Sequence, residues 1–279
     1  MSRPDPRSGL IPALLKQWRA QRGLSQLDLA VAAEVSARHV SFLETGRSRP
    51  SPEMVLRLGA TLGVPLEQMN TMLVAAGHEP VFDESTDVMP AAVNDALEFL
   101  KSHHEPYPLV VIDRAYQVLD LNCAALTVLG EVLGLRPFDL PPDPSDIAAL
   151  GLNLARMAFD PAGAQPYLVN FDAVGRQLLW RIGREALADP HDDRLRRLLD
   201  ELMEFPTVSP QWRAVDLSVT SEPALVLHLR RGPLDLRFLT TVTAFQAPQN
   251  IAVERLRIEH WFPYDEATKE ACRQLERVR

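Results

Sequence analysis

Helix caps recur at short, regular intervals through the first 76 residues, and they constrain the fold more than any other feature of the chain. Ser25 precedes an apolar stretch with Asp28 three positions on, the pairing of a capping box. Ser36 opens a third segment, and Ser51-Pro52-Glu53 supplies an N-cap, a first-turn proline and an early acid for a fourth. Gly23, Gly46 and Gly77 stand where helices end. Between these signals apolar residues recur at helical spacing. Leu10, Leu14 and Trp18, with Leu15, mark the first helix; Leu27, Ala30 and Val31 mark the buried face of the second; Val40 and Leu43 mark the third. The fourth runs to Leu62, and Pro65 opens a fifth. The expectation is an all-α head of five short helices.

Beyond it the texture changes. Residues 78–90 are polar, acidic and poorly periodic, as a linker would be. Leu109–Asp113 and Tyr116–Leu121 are strand candidates separated by two residues, and Pro137–Asp146 is a proline-rich loop. Helical patterns follow at 147–159, 168–188 and 192–204. Strand-like runs come next, at 212–220, 224–230, 234–245 and 251–258, before a charged helix at 265–278. Strands bracketing a block of helices imply an α+β domain with an antiparallel sheet. The expected division is 1–77, a linker over 78–90, and 91–279.

With 279 residues and 46% of them hydrophobic, the chain can build two cores. No apolar run approaches the roughly 20 residues of a membrane span, and Met1-Ser2-Arg3-Pro4 leads into no signal-like stretch. A cytoplasmic protein without a membrane partner is expected. Cys123 and Cys272 lie far apart, which argues against a disulfide framework or zinc knuckle. The net charge of −8 taken alone disfavours nucleic acid, but its distribution is uneven. Residues 1–80 carry nine basic and seven acidic side chains, while the remainder carries twenty against thirty. No HExxH, GxSxG, P-loop or GxGxxG pattern occurs. A Ser–Lys protease would need a lysine in the body, where only Lys101 and Lys269 occur, both in polar contexts. No catalytic residue, metal site or required cofactor is therefore assigned.

The run Gly23-Leu24-Ser25-Gln26-Leu27-Asp28-Leu29-Ala30, followed by Val35-Ser36-Ala37-Arg38-His39-Val40-Ser41-Phe42-Leu43-Glu44-Thr45-Gly46, resembles the helix-turn-helix of phage-repressor-like (XRE-type) regulators. The resemblance implies a recognition helix seated by Val35, Val40 and Leu43, with its N-terminal half free to enter a major groove. Gln26 and Ser36 match positions that touch phosphates or groove edges. Ala37, Arg38 and Ser41 match positions facing bases, and Arg38 is suited to grip guanine bidentately. Arg47 and Arg49 match a phosphate-contacting stretch. Arg19 and Glu44 match an architectural ion pair. Where the family turn usually has glycine with positive φ, this chain has Glu34, implying mild strain or an altered turn.

Further on, Ala76-Gly77-His78-Glu79-Pro80, Asp120-Leu121-Asn122-Cys123-Ala124-Ala125-Leu126 and Asn153-Leu154-Ala155-Arg156-Met157-Ala158-Phe159-Asp160-Pro161 resemble MmyB-like regulators. The helix carrying Trp180, then Asp193-Arg194-Leu195 and Glu201-Leu202, falls in place. Near Pro210–Asp216 the chain departs from the family pattern, with Ala214-Val215 in a histidine neighbourhood. The resemblance implies a PAS-like domain wrapped around a mainly apolar cavity. Leu126, Leu129, Met157, Phe159 and Trp180 are candidates to line it. Arg156 and His228 are candidate anchors for an acidic head group, although Arg156 has Asp160 as an alternative partner four residues on. The expected function is a homodimeric transcriptional regulator that binds a double-stranded DNA operator and a small apolar ligand such as a fatty acid. The alternatives are a repressor or antitoxin-like regulator whose second domain binds a protein, and a helix-turn-helix fused to an enzyme.

Overall fold

The computed structural model describes residues 10–83, 89–134, 144–189, 192–213, 225–246 and 248–278. The chain divides into two compact units, residues 1–89 with 246–254, and residues 90–245 with 255–279. Among the described residues no helix is long and apolar enough to cross a membrane.

The first unit contains α1 (Leu10–Gln21), α2 (Gln26–Ala32), α3 (Ala37–Glu44), α4 (Pro52–Leu62) and α5 (Leu66–Ala75). The cap signals act as the sequence implied. Ser25 and Asp28 form both bonds of a capping box, Ser36 Oγ accepts from His39 N, and Ser51 Oγ accepts from Met54 N. Gly23 and Gly63 take left-handed φ values of +65° and +60°. Glu34, at +57°, adopts the glycine-like conformation its place in the turn demands. The expected buried faces need correction. Leu27 and Val31 are 62% and 70% exposed, while Leu29, Ala30 and Ala33 point inward. In α1 the buried residues are Ile11, Leu15 and Trp18, with Leu10 exposed. A helix of two turns offers too few apolar positions for spacing to fix its phase; packing against its neighbours decides it.

Residues 78–83, expected as linker, are fastened to this unit. The Asn70 amide oxygen accepts from Val81 N and Phe82 N at 3.0 Å, and the His78 ring lies 2.9 Å from the Pro50 carbonyl. The segment 246–254 belongs to the same unit. Asp83 bridges to Asn250, and the Glu254 carboxylate accepts from Leu66 N at 3.1 and 3.2 Å. That carboxylate caps α5, whose N-cap residue Pro65 makes no side-chain capping bond.

The second unit begins with α6 (Ala91–His104). Lys101 on it pairs with Asp120 at 2.7 Å. Five strands follow in an antiparallel sheet of order β2-β1-β5-β4-β3: β1 (Leu109–Ile112), β2 (Val118–Leu121), β3 (Leu225–Arg231), β4 (Leu234–Thr243) and β5 (Arg257–Pro263). Between β2 and β3 lie α7 (Cys123–Leu133), α8 (Leu154–Phe159), α9 (Phe171–Ala188) and α10 (Asp193–Glu204). The short α11 (Ile251–Arg255) precedes β5, and α12 (Glu266–Val278) follows it. Phe159, Leu179, Ile182, Leu195, Leu202, Leu236 and Phe238 form the centre of one core with sheet and helix residues around them.

Three expected elements are redrawn. The helix expected at 147–159 is a 3-10 turn over Pro144–Leu150 followed by α8, because Gly151 turns left-handed and Asn153 caps α8 through Arg156 N. The strand expected at 251–258 splits into α11 and β5, since the Asn250 side chain caps Val253 N. The run at 212–220 starts in a 3-10 turn, Pro210–Trp212, opened by Ser209, and residues 214–220 lie outside the described residues. Most of the proline-rich loop and the start of the chain lie there too.

Candidate functional site

In the first unit, the α2–turn–α3 geometry is held by one buried carboxylate. Arg19 donates from Nε and Nη2 to Glu44 at 2.6 and 3.0 Å, and from Nη1 to the Leu24 carbonyl. Gln26 Nε2 donates to the same carboxylate at 2.8 Å. Burial pushes the Glu44 pKa up, but the hydrogen bonds from Arg19 and Gln26 and the Arg19 and Lys16 charges outweigh it. The net effect is a pKa below the usual carboxylate range. Gln26, expected at phosphates or groove edges, thus also ties α2 to the end of α3.

Ser36, Arg38, Arg47 and Arg49 are exposed, and Ala37 and Ser41 are half-buried. Phe42, on α3, is half-buried. Its ring carries the Arg38 guanidinium at 5.1 Å and the Arg47 guanidinium at 5.9 Å, so one aromatic side chain orients both arginines.

In the second unit, an apolar cavity of about 70 Å³ is lined by residues including Leu129, Val132, Leu154, Met157, Leu225 and Leu227. A polar chamber of about 270 Å³ has Asp113, Arg114, Glu185 and Arg257 on its walls. Tyr116, Arg181, Thr240 and Glu259 line both. Each arrives from a different element: Tyr116 from the β1–β2 turn, Arg181 from α9, Thr240 from β4 and Glu259 from β5. Tyr116 has φ of +62° in a turn whose amides at Ala115 and Gln117 donate to Asp113 Oδ1.

The electrostatics mark this junction as unusual. Burial raises the pKa of Glu259, against the Trp261 indole N–H (3.3 Å) and the Arg181 charge. It also raises that of Glu185, against Arg257, Arg114 and Arg181. The Tyr116 phenol is pushed far up by burial and by the Glu185 charge. Strongly perturbed groups converging on a cavity are a mark of function.

Of the residues expected at the ligand, Leu129 and Met157 line the cavity. The others lie elsewhere, and each has a physical reason. Phe159 is fully buried in the core, edge-on to Phe171. Leu126 packs against that core, and Trp180 stacks under Arg176 at 5.7 Å. Arg156 pairs with Glu201 (Nε to Oε2, 2.7 Å) rather than with Asp160, and both side chains are half-exposed. His228 pairs with Asp235 at 2.8 Å. The cationic group that does face the cavity is Arg181. It and Glu185 stand four residues apart on α9, a signal legible only once the inward face of that helix is known. Glu259, an acid between Ile258 and Trp261 in a strand, was the clearer missed sign.

These two structures, a capped helix-turn-helix and an α+β unit built around a cavity, define a regulator-type architecture. Comparison with known proteins agrees. Residues 15–69 match the helix-turn-helix family, and residues 93–275 match the MmyB-like transcription regulator ligand binding domain. The chain belongs to the MmyB-like transcription regulator family. Over 83 residues it is 31% identical to the HTH-type transcriptional regulator DdrOP3 of Deinococcus deserti, covering 30% of this chain and 60% of that protein.

Proposed function

We propose that the protein is a homodimeric, DNA-binding transcriptional regulator whose PAS-like second unit senses a slender apolar molecule with an anionic end, a fatty acid being the simplest. The observation that carries the ligand reading is the apolar cavity opening beside Arg181 at a polar junction. An aliphatic chain in that cavity gains about 0.8 kcal/mol per buried methylene. Its carboxylate needs a partner there, because an unpaired buried charge is very costly. The antiparallel sheet with helices wrapped round a cavity supports the PAS-like reading. Dimerisation follows from the few base pairs one recognition helix reads, too few for typical specific affinity.

A ligand regulates only by favouring one conformational state. Thr240 and Glu259, both at the cavity, sit on β4 and β5, and the chain between those strands runs through 246–254, the segment that caps α5. That continuity, together with the 78–90 segment and β1, gives ligand binding a route to the helical unit.

The DNA reading is tested with paired substitutions. Arg38→Ala should lose about 1–3 kcal/mol at the specific site and relax one base-pair preference. Arg47→Ala should weaken all sequences alike and flatten the salt dependence. Binding-site selection and salt titration separate the two. An Arg38→Ala protein with undiminished discrimination, or a single protomer per saturated operator in sedimentation, would count against this reading.

A further inference from the structure

The polar chamber holds more charge than a simple carboxylate end can use. Three of its charged walls are already engaged: Asp113 accepts from two backbone amides and from Arg194, Arg114 pairs with Asp189 at 3.0 Å, and Arg257 donates to the Leu256 carbonyl. The other three are Arg181, Glu185 and Glu259. Arg181 faces the Tyr116 hydroxyl and forms no ion pair among the described residues. Glu185 accepts no hydrogen bond from a described residue, and Glu259, only 8% exposed, accepts a single long one from Trp261. With Arg114 and Arg257 hydrogen-bonded to their own partners, the chamber offers the Arg181 guanidinium and two carboxylates with spare acceptor sites, in about 270 Å³.

Resting on the ligand reading above, we infer that the chamber receives a zwitterionic head group: an anionic centre held by Arg181 and Tyr116, and an ammonium held by Glu185 and Glu259. The preferred ligand class is then an amphiphile with an aliphatic chain and an amino-acid end. The physical argument is pairing. A fatty carboxylate satisfies Arg181 but adds a third carboxylate beside Glu185 and Glu259, where the remaining cations, Arg114 and Arg257, are already hydrogen-bonded elsewhere. An added ammonium meets both carboxylates with charge-assisted hydrogen bonds, the stronger kind. Burial raises the pKa of Glu185 and of Glu259, so an ammonium that stabilises their ionised forms gains more there than it would in water. The Thr240 hydroxyl already donates to the Leu225 carbonyl at 3.1 Å, which leaves its oxygen free to accept from the same ammonium.

The test is calorimetric titration of the full chain, stripped of any co-purified lipid, with octanoic acid, 2-aminooctanoic acid and octylamine. These share one chain length and differ only in the head. The expected result is that 2-aminooctanoic acid binds about tenfold or more tightly than octanoic acid. Glu185→Gln should then cut that preference to within about threefold. Octanoic acid binding as tightly as its amino derivative in the unsubstituted protein overturns the head-group inference alone. A preference unchanged by Glu185→Gln, in a protein that melts like the parent, does the same. Failure of all three to bind overturns the ligand reading beneath it.

Discussion

Replacing Glu44 by alanine should destabilise the helical unit by about 2–4 kcal/mol, somewhat below the full loss for a buried ion pair because Arg19 keeps a partly wet edge. The Glu44 side chain is 3% exposed and takes three hydrogen bonds, two from Arg19 and one from Gln26. Its removal strands the Arg19 guanidinium against the protein interior and frees α2 from α3. DNA affinity should fall with it, since Arg38 is carried on the helix that Glu44 ends and Arg47 follows directly after it. Urea unfolding followed by circular dichroism measures the first effect, and operator titration the second. Joint replacement, Arg19→Met with Glu44→Leu, should lose less than the two single changes summed, because neither charge is left alone. The pH dependence has a definite sign. A carboxylate whose folded pKa is depressed contributes stability at pH values above its unfolded pKa and loses it as pH falls through the folded one. The parent should therefore lose stability on acidification through that window, and Glu44→Ala should show a flatter profile.

Phe159→Ala should cost the second unit about 3–5 kcal/mol, the range for emptying a buried aromatic site. Phe159 has no exposed surface, packs edge-on against Phe171 at 5.6 Å, and its carbonyl accepts from Thr207 at 2.9 Å. Two residues earlier on α8, Met157 is half-buried and lines the cavity. Met157→Ala should leave the melting temperature within a few degrees while changing affinity for an eight-carbon probe. The contrast separates core from site along a single turn of helix. Thermal unfolding and the same calorimetric titration read both. A Phe159→Ala protein of near-parental stability would show that the space around it relaxes to close the gap.

Much of the first unit was legible because its signals are local. A serine three residues before the amide it caps, a proline in a first turn and a residue forced to positive φ all act within one turn of chain. Spacing therefore located the five helices, and the family resemblance singled out Glu34. What it misjudged was which side of a two-turn helix faces inward, as Leu27 and Val31 demonstrate. The second unit was harder because its decisive contacts lie far apart in sequence. Lys101 with Asp120 and Arg156 with Glu201 join residues that no local pattern relates.

The sequence by itself determined the class of each half: capped helices with an arginine-bearing third helix, then strands bracketing a block of helices with enough apolar residues for a separate core. Family resemblance located Leu129 and Met157 near a cavity for the same reason, since apolar side chains on one helical face go inward wherever that face is covered. The polar end of the cavity was decided only by tertiary structure. Arg156 and His228 were plausible anchors by type, yet Glu201 holds Arg156 in a half-exposed ion pair that keeps its hydration, and Asp235 holds the His228 ring. Arg181, Glu185 and Glu259 sit inward because α9 and β5 turn those positions toward the turn that carries Tyr116. Burial then raises the pKa of both carboxylates, and that is a property of the assembled walls, not of any stretch of chain.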